Sequence, residues 1–105
     1  MEYCLDTGDL EMVKKVVDLY PVRCFSMNPS IAVRCLTGTG RTFLENARMI
    51  REVIGEEYPF YLEAMGDTAE EMIEDAHRIR EEIKGNTFIK IPACPQGYKA
   101  IRLLK

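Results

Sequence analysis

Strand-like and helical segments alternate four times along this chain, no hairpin signal separates any two strand-like runs, and a polar residue stands where each run ends. Together these predict an α/β fold on parallel strands joined by crossover helices. At 105 residues, 47% of them hydrophobic and 30% charged, the chain has the size and composition of one globular domain. No low-complexity stretch, linker or repeat beyond the shared β/α rhythm divides it.

The first strand is expected over 2–5, ending at Asp6, with Thr7-Gly8-Asp9 supplying turn and capping residues. Leu10, Val13, Val17 and Tyr20 then recur at helical spacing, and Pro21 closes that segment because it cannot continue a helix without losing a hydrogen bond. Residues 22–25 read as the second strand. The run 26–30, Ser-Met-Asn-Pro-Ser, reads as a break before a short helix over 31–36, and Thr37-Gly38-Thr39-Gly40 as another. Phe43, Ala47, Ile50 and Ile54 form one apolar stripe with Arg and Glu between them, closed by Gly55.

A third strand is expected over 58–62, with Pro59 near its start and Glu63 at its end. Thr68 and Glu71 match a capping box, and Ala69, Met72, Ala76, Ile79 and Ile83 carry a buried helix face up to Gly85. Residues 87–91 form the fourth strand, and Pro95 opens a last helix carrying Tyr98, Ile101 and Leu104. Four parallel strands leave two unpaired edges, whereas a closed eight-stranded barrel takes about 250 residues. The pattern therefore fits either half of such a barrel or a small open sheet.

Fourteen Lys and Arg against seventeen Asp and Glu give a net charge of -3, which supplies no basic field for nucleic acid or an anionic membrane. No apolar run approaches the roughly 18 residues of a membrane span, and the start Met-Glu-Tyr-Cys lacks the basic and apolar segments of a signal peptide. A cytoplasmic protein is the expectation. Cys4, Cys24, Cys35 and Cys94 form no C-x-x-C pair and lie far in sequence from His77, so no zinc signature exists, and reduced thiols packed as small hydrophobes are expected.

In parallel α/β folds the active site lies at the carboxyl ends of the strands. Those ends carry Asp6, Asn28, Glu63 and Lys90. Two carboxylates, an amide and an amine on one rim suit carbonyl chemistry, in which an unprotonated lysine attacks a ketone while carboxylates move protons. Lys90, between Ile89 and Ile91, is the candidate nucleophile, since desolvation among apolar neighbours would disfavour its ammonium form. Each residue also has a surface reading: Lys90 projecting to water, Asp6 capping a turn, Glu63 pairing with an arginine. Gly38-Thr39-Gly40-Arg41 before a helix reads as a phosphate cradle or, more simply, a turn, and His77 as a solvated helix position.

Four fragments, Tyr3-Cys4-Leu5-Asp6-Thr7-Gly8-Asp9, Asn28-Pro29-Ser30, Met65-Gly66-Asp67-Thr68-Ala69-Glu70-Glu71-Met72 and Phe88-Ile89-Lys90-Ile91-Pro92, together resemble the transaldolase family, in particular its short branch that includes fructose-6-phosphate aldolase. The resemblance covers essentially the whole chain. It implies a class I, Schiff-base transaldolase or aldolase built as a (β/α)8 TIM barrel, of which residues 1–105 are a (β/α)4 N-terminal half. It further implies a ketose phosphate substrate, Lys90 as the Schiff-base residue, and Asp6 as the group taking the proton of the hydroxyl at the cleaved carbon–carbon bond. Asn28 would hold hydroxyls of the dihydroxyacetone unit, with Ser26 beside it as a second substrate-binding residue, and Glu63 would order a catalytic water. The protonated imine serves as electron sink, so neither metal nor cofactor is implied.

Departures from the family pattern are Ser26-Met27, where two threonines are common, and Pro92-Ala93-Cys94-Pro95-Gln96-Gly97 after Lys90, where Thr and Glu are usual. A carboxylate at Glu63 looks more like true transaldolases than like the aldolase branch. Strands five to eight have no counterpart in this chain. The expectation is therefore a homo-oligomer or a missing C-terminal half, and the alternative to an enzyme is a non-catalytic half-barrel assembly or sugar-phosphate-binding module.

Overall fold

In the computed structural model, which describes residues 2–105, four parallel strands lie side by side in chain order: β1 (Tyr3–Asp6), β2 (Val22–Met27), β3 (Phe60–Glu63) and β4 (Thr87–Lys90). Helix α1 (Leu10–Leu19) joins the first pair, α2 (Pro29–Leu36) and α3 (Phe43–Ile54) the second, and α4 (Ala69–Glu82) the third, while α5 (Pro95–Leu104) follows the last strand. The α/β class and the parallel order agree with the sequence reading. The arrangement is consistent with half of a (β/α)8 barrel.

Phe25 and Met27 of β2 and Phe60 and Leu62 of β3 are buried in one cluster with Leu10 and Val13 of α1, Ala32 of α2, Ala47, Ile50 and Ile54 of α3, and Ala76 and Ile79 of α4. All crossover helices thus pack on one face, so all crossovers share one hand, as right-twisted parallel strands favour. Because side chains alternate along a strand, the other face collects Cys4, Asp6, Cys24, Ser26, Tyr61, Glu63, Phe88 and Lys90. No helix covers it.

Several boundaries differ from expectation for identifiable reasons. Ser26 and Met27, read as a break, extend β2, because Met27 pairs with Leu62 and is fully buried under the helices. Strand β3 begins at Phe60, and Pro59, which has no N–H to give, contributes only its carbonyl to Phe25 N–H at 3.0 Å. The last helix turns its large side chains outward: Tyr98, Ile101 and Leu104 are exposed, while Gly97 and Ala100 face inward. Ala100 packs with Ala69 and Met72 of α4, and a Cβ at Gly97 would overlap the Pro92 carbonyl oxygen, so only the small side of α5 can approach so closely.

At the amino ends of the strands lies a charged side chain that the helical stripe disguised. Arg51, one of the charged residues between the apolar positions of the α3 stripe, is only 5% exposed. Its Nη1 donates to the carbonyls of Gly55 (2.9 Å) and Tyr58 (2.8 Å), and its Nη2 to the carbonyl of Asn86 (3.0 Å) and to Thr87 Oγ1 (2.9 Å). The guanidinium also lies over the Phe60 ring, 5.4 Å from its centroid. One side chain thereby ties the end of α3 to the starts of β3 and β4. Burial pushes its pKa down, partly offset by Glu56, yet a guanidinium stays protonated at any ordinary pH. Replacing Arg51 with Ala takes the donor from the Gly55 and Tyr58 carbonyls and from the buried Thr87 Oγ1, while the Asn86 carbonyl keeps Phe60 N–H, and should cost about 2 kcal/mol, read as a lower urea midpoint at fixed protein concentration. An unchanged midpoint would show that water satisfies these carbonyls.

Candidate active site

Parallel strands end on the same side, and their register brings the candidate residues into two rows on the uncovered face. Asp6 pairs with Ser26, Ser26 with Tyr61, and Tyr61 with Phe88. Two residues further along, at the strand ends, Glu63 pairs with Lys90. Asn28 follows directly on β2.

Asp6 does not cap the turn after it. That role falls to Asp9, whose Oδ1 accepts from the N–H groups of Glu11 (3.0 Å) and Met12 (3.2 Å), while Thr7 Oγ1 accepts from Asp9 N–H (3.1 Å). Asp6 is instead held by Ser26, whose hydroxyl donates to Oδ1 at 2.7 Å. A hydroxyl at position 26 therefore fixes one carboxylate oxygen and leaves the other for a ligand. Asn28 caps α2, its Oδ1 accepting from Ile31 N–H at 2.9 Å, which presents the side-chain amide nitrogen as a donor at the rim.

Asn46, in the first turn of α3, is a residue the sequence reading passed over. It is fully buried, 0% exposed, donating from Nδ2 to Gly8 O (2.8 Å) and lying 3.4 Å from Met27 Sδ, while its Oδ1 accepts from Arg41 Nε (3.1 Å). The amide braces the loop after Asp6 against the residue that precedes Asn28. A polar residue inside an amphipathic helix stripe is the only sequence signal of it, and exposed helix residues give the same signal.

Glu63 and Lys90 are both half-buried, and no ion pair joins Glu63 to an arginine or to Lys90 among the described residues. Ile89 and Ile91, the apolar neighbours expected to enclose Lys90, pack against the core on the helical side. The lysine emerges on the opposite face. Beneath it the rings of Tyr61 and Phe88 stack, centroids 4.9 Å apart, and form an aromatic floor to the rim.

The glycines of Thr37-Gly38-Thr39-Gly40 serve a turn, with positive φ at Gly38 and Gly40. Helix α3 starts behind them with a complete capping box, Thr42 Oγ1 accepting from Glu45 N–H (3.1 Å) and Glu45 Oε1 from Thr42 N–H (3.2 Å). Those bonds hold the Glu45 carboxyl below the usual range, so the helix start already carries an anion. His77 lies exposed on α4. All four cysteines are free thiols, and among the described residues no cluster of three or more His, Cys, Asp or Glu side chains is arranged to hold a metal. Cys4 and Cys24 face each other across β1 and β2, below Asp6 and Ser26.

The four parallel strands with helices on one face are consistent with half of a (β/α)8 barrel, and their carboxyl ends, where such folds carry active sites, hold a lysine, two carboxylates and an amide. The sequence model of the Transaldolase/Fructose-6-phosphate aldolase family matches residues 3–105, and the chain belongs to that family. It is similar to a probable fructose-6-phosphate aldolase of Streptococcus pneumoniae (strain ATCC 700669 / Spain 23F-1), 34% identical over 105 residues that cover 100% of this chain and 46% of the relative. The chain thus spans about half the length of that curated relative. No helix among the described residues is long and apolar enough to cross a membrane.

Burial, the facing Cys4 thiol and the charge of Glu2 push the Cys24 thiol up to about 12. At pH 8 that leaves about one thiolate in ten thousand, and the thiolate is the reactive form. Iodoacetamide at pH 8 should therefore label the exposed Cys4 well before Cys24, as peptide mapping would show, and Cys4→Ala should speed labelling of Cys24. Equal rates in the unsubstituted chain would contradict the shielding of Cys24.

Proposed function

We propose that this chain is the N-terminal half of a class I aldolase or transaldolase site acting on the dihydroxyacetone unit of a ketose phosphate. The observation that carries the reading is the register pairing of Lys90 with Glu63 on the same uncovered face as the Ser26-held Asp6. Family membership and a relative described as a probable fructose-6-phosphate aldolase support it.

Lys90 Nζ attacks the C2 carbonyl of the ketose, and the carbinolamine loses water to give a protonated imine. Glu63, adjacent in register, orders the water and shuttles the protons of these steps. Asp6 then accepts the C4 hydroxyl proton while the C3–C4 bond breaks, releasing an aldehyde and leaving its electron pair on the imine as an enamine. Asn28 and Ser26 hold hydroxyls of the three-carbon unit. Protonation at C3 and hydrolysis free dihydroxyacetone, whereas attack on an acceptor aldehyde completes a transfer.

The site also explains why four strands make only half of it. Three strand spacings of roughly 4.8 Å put Asp6 and Lys90 about 14 Å apart in a flat sheet, while C2 and C4 of one sugar are neighbours but one. Barrel curvature shortens that span, and four more strands would complete the rim. A non-catalytic sugar-phosphate-binding module would keep the same residues without forming an imine, and covalent trapping separates the two.

Incubation with fructose 6-phosphate or dihydroxyacetone followed by borohydride should leave a reduced three-carbon adduct on Lys90, seen by intact mass and peptide mapping. Lys90→Ala should abolish it. Asp6→Ala should still trap dihydroxyacetone, since imine formation does not need the C4 proton acceptor, but should lose cleavage of the ketose by a factor on the order of 100. Folded protein that traps neither compound, or an adduct that survives Lys90→Ala, would overturn the assignment.

A further inference from the structure

Two of the four thiols are neighbours on the uncovered face of the sheet. Tyr3 pairs with Val22 but Cys4 pairs with Cys24, so β2 carries one extra residue, Arg23, at this point. That irregularity sets the two cysteines directly opposite each other, where a regular register would set Cys4 against Arg23. Neighbouring strands run roughly 4.8 Å apart, inside the span of about 4.4–6.8 Å between α-carbons that a disulfide bridges. Both side chains leave the same face, and Cys4 is the side-chain hydrogen-bonding neighbour of the Cys24 thiol. Cys4 Sγ also lies 4.0 Å from Ser26 Oγ, which in turn donates to Asp6 Oδ1 at 2.7 Å. The other two thiols stand apart from this pair. Cys35 lies on α2 over the covered face, near Gly8, and Cys94 precedes α5 and packs against the cluster between α4 and α5.

We infer that Cys4 and Cys24 form a reversible dithiol–disulfide couple, closed by a hydroperoxide, that staples β1 to β2 directly beneath Asp6 and Ser26. Both cysteines belong to adjacent strands, so the couple is independent of whatever completes the rim. Cys4 reacts first, because burial and the facing thiol hold Cys24 protonated. Its Sγ attacks one peroxide oxygen and the O–O bond breaks. The thiol proton leaves with the departing oxygen, as water from hydrogen peroxide or as an alcohol from an organic hydroperoxide, and Cys4 becomes a sulfenic acid. Cys24 Sγ then attacks Cys4 Sγ, the S–O bond breaks, and the Cys24 proton leaves with that oxygen as water. In sum the two thiols give two electrons and two protons to one peroxide. The link closes a loop that contains α1, and it makes covalent the register that sets Asp6 beside Ser26.

Hydrogen peroxide in slight excess over the folded, reduced chain tests this, with circular dichroism to verify folding, then blocking of the remaining thiols and peptide mapping by mass without reduction. The expected product is a single chain lighter by two hydrogens, with the peptide of Cys4 joined to that of Cys24, Cys35 and Cys94 recovered as blocked thiols, and full reversal by dithiothreitol. Its urea midpoint should exceed that of the reduced chain, since the link restricts the unfolded state. Cys24→Ser should leave Cys4 as a sulfenic acid that dimedone captures, and Cys35→Ser should leave the cross-link unchanged. Oxidation in concentrated urea gives a reference that requires no variant to fold: there the pair closest in sequence, Cys24 with Cys35, should be favoured instead. Links through Cys35 or Cys94 in the folded chain, links only between chains, Cys4 carried to sulfinic acid while Cys24 stays free, a lower urea midpoint after oxidation, or the same pairing in urea as in the folded chain would each overturn the inference. None of these readouts uses Lys90 or a sugar, so the couple and the proposed chemistry stand or fall separately.

Discussion

Successive side chains on a strand point to opposite faces, and every crossover helix lies on one of those faces, so each strand here serves two environments at once. On β2, Phe25 and Met27 are sealed under α1, α2 and α3, while Cys24 and Ser26 look the other way. On β3, Phe60 and Leu62 belong to the core, and Tyr61 and Glu63 to the open side. The hydrophobic effect acts on the first set and leaves the second available for chemistry. A shift of register by one residue would exchange the two sets, so the burial of Phe25, Met27, Phe60 and Leu62 also holds Asp6 beside Ser26 and Glu63 beside Lys90.

The two ends of the sheet divide the work in a second direction. Its amino end is bound by Arg51, one cation spending four hydrogen bonds on backbone carbonyls and a threonine hydroxyl. At the carboxyl end the bonds are fewer and more local: Ser26 to Asp6, Asn28 to the start of α2, Asn46 to the loop at Gly8. Rigidity sits away from the rim, and the rim is free to differ. The departures from the family pattern, Ser26-Met27 and the run Pro92 to Gly97, both lie at this end, and both are accommodated, Met27 by burial and Gly97 by its close approach to Pro92.

Element order and the strand-end residues were legible because they rest on local patterns: period-two runs, helical stripes, and Asp, Thr and Pro at helix starts. Lys90 stood out for the same reason, as the polar residue closing the fourth strand. What escaped depends on tertiary partners. Arg51 and Asn46 lie in α3 among residues that look solvated, and only the strand starts and the Gly8 loop, distant in sequence, explain their burial. The outward turn of Tyr98 and Ile101 was equally hidden, because the close approach to Pro92 and to α4 selects the small side of the helix. The enclosure of Lys90 by its isoleucines failed on simple alternation, which places adjacent strand residues on opposite faces.

The aromatic floor has a further use. The chain has no tryptophan and only five tyrosines, so its near-ultraviolet signature is sparse. Tyr61 lies face to face with Phe88, one step below Lys90 and Glu63 on the same side of the sheet. A molecule settling into the rim changes the surroundings of that ring directly. Under the proposed function, the chain would thus carry its own optical gauge of occupancy, built into the strands and needing no attached dye.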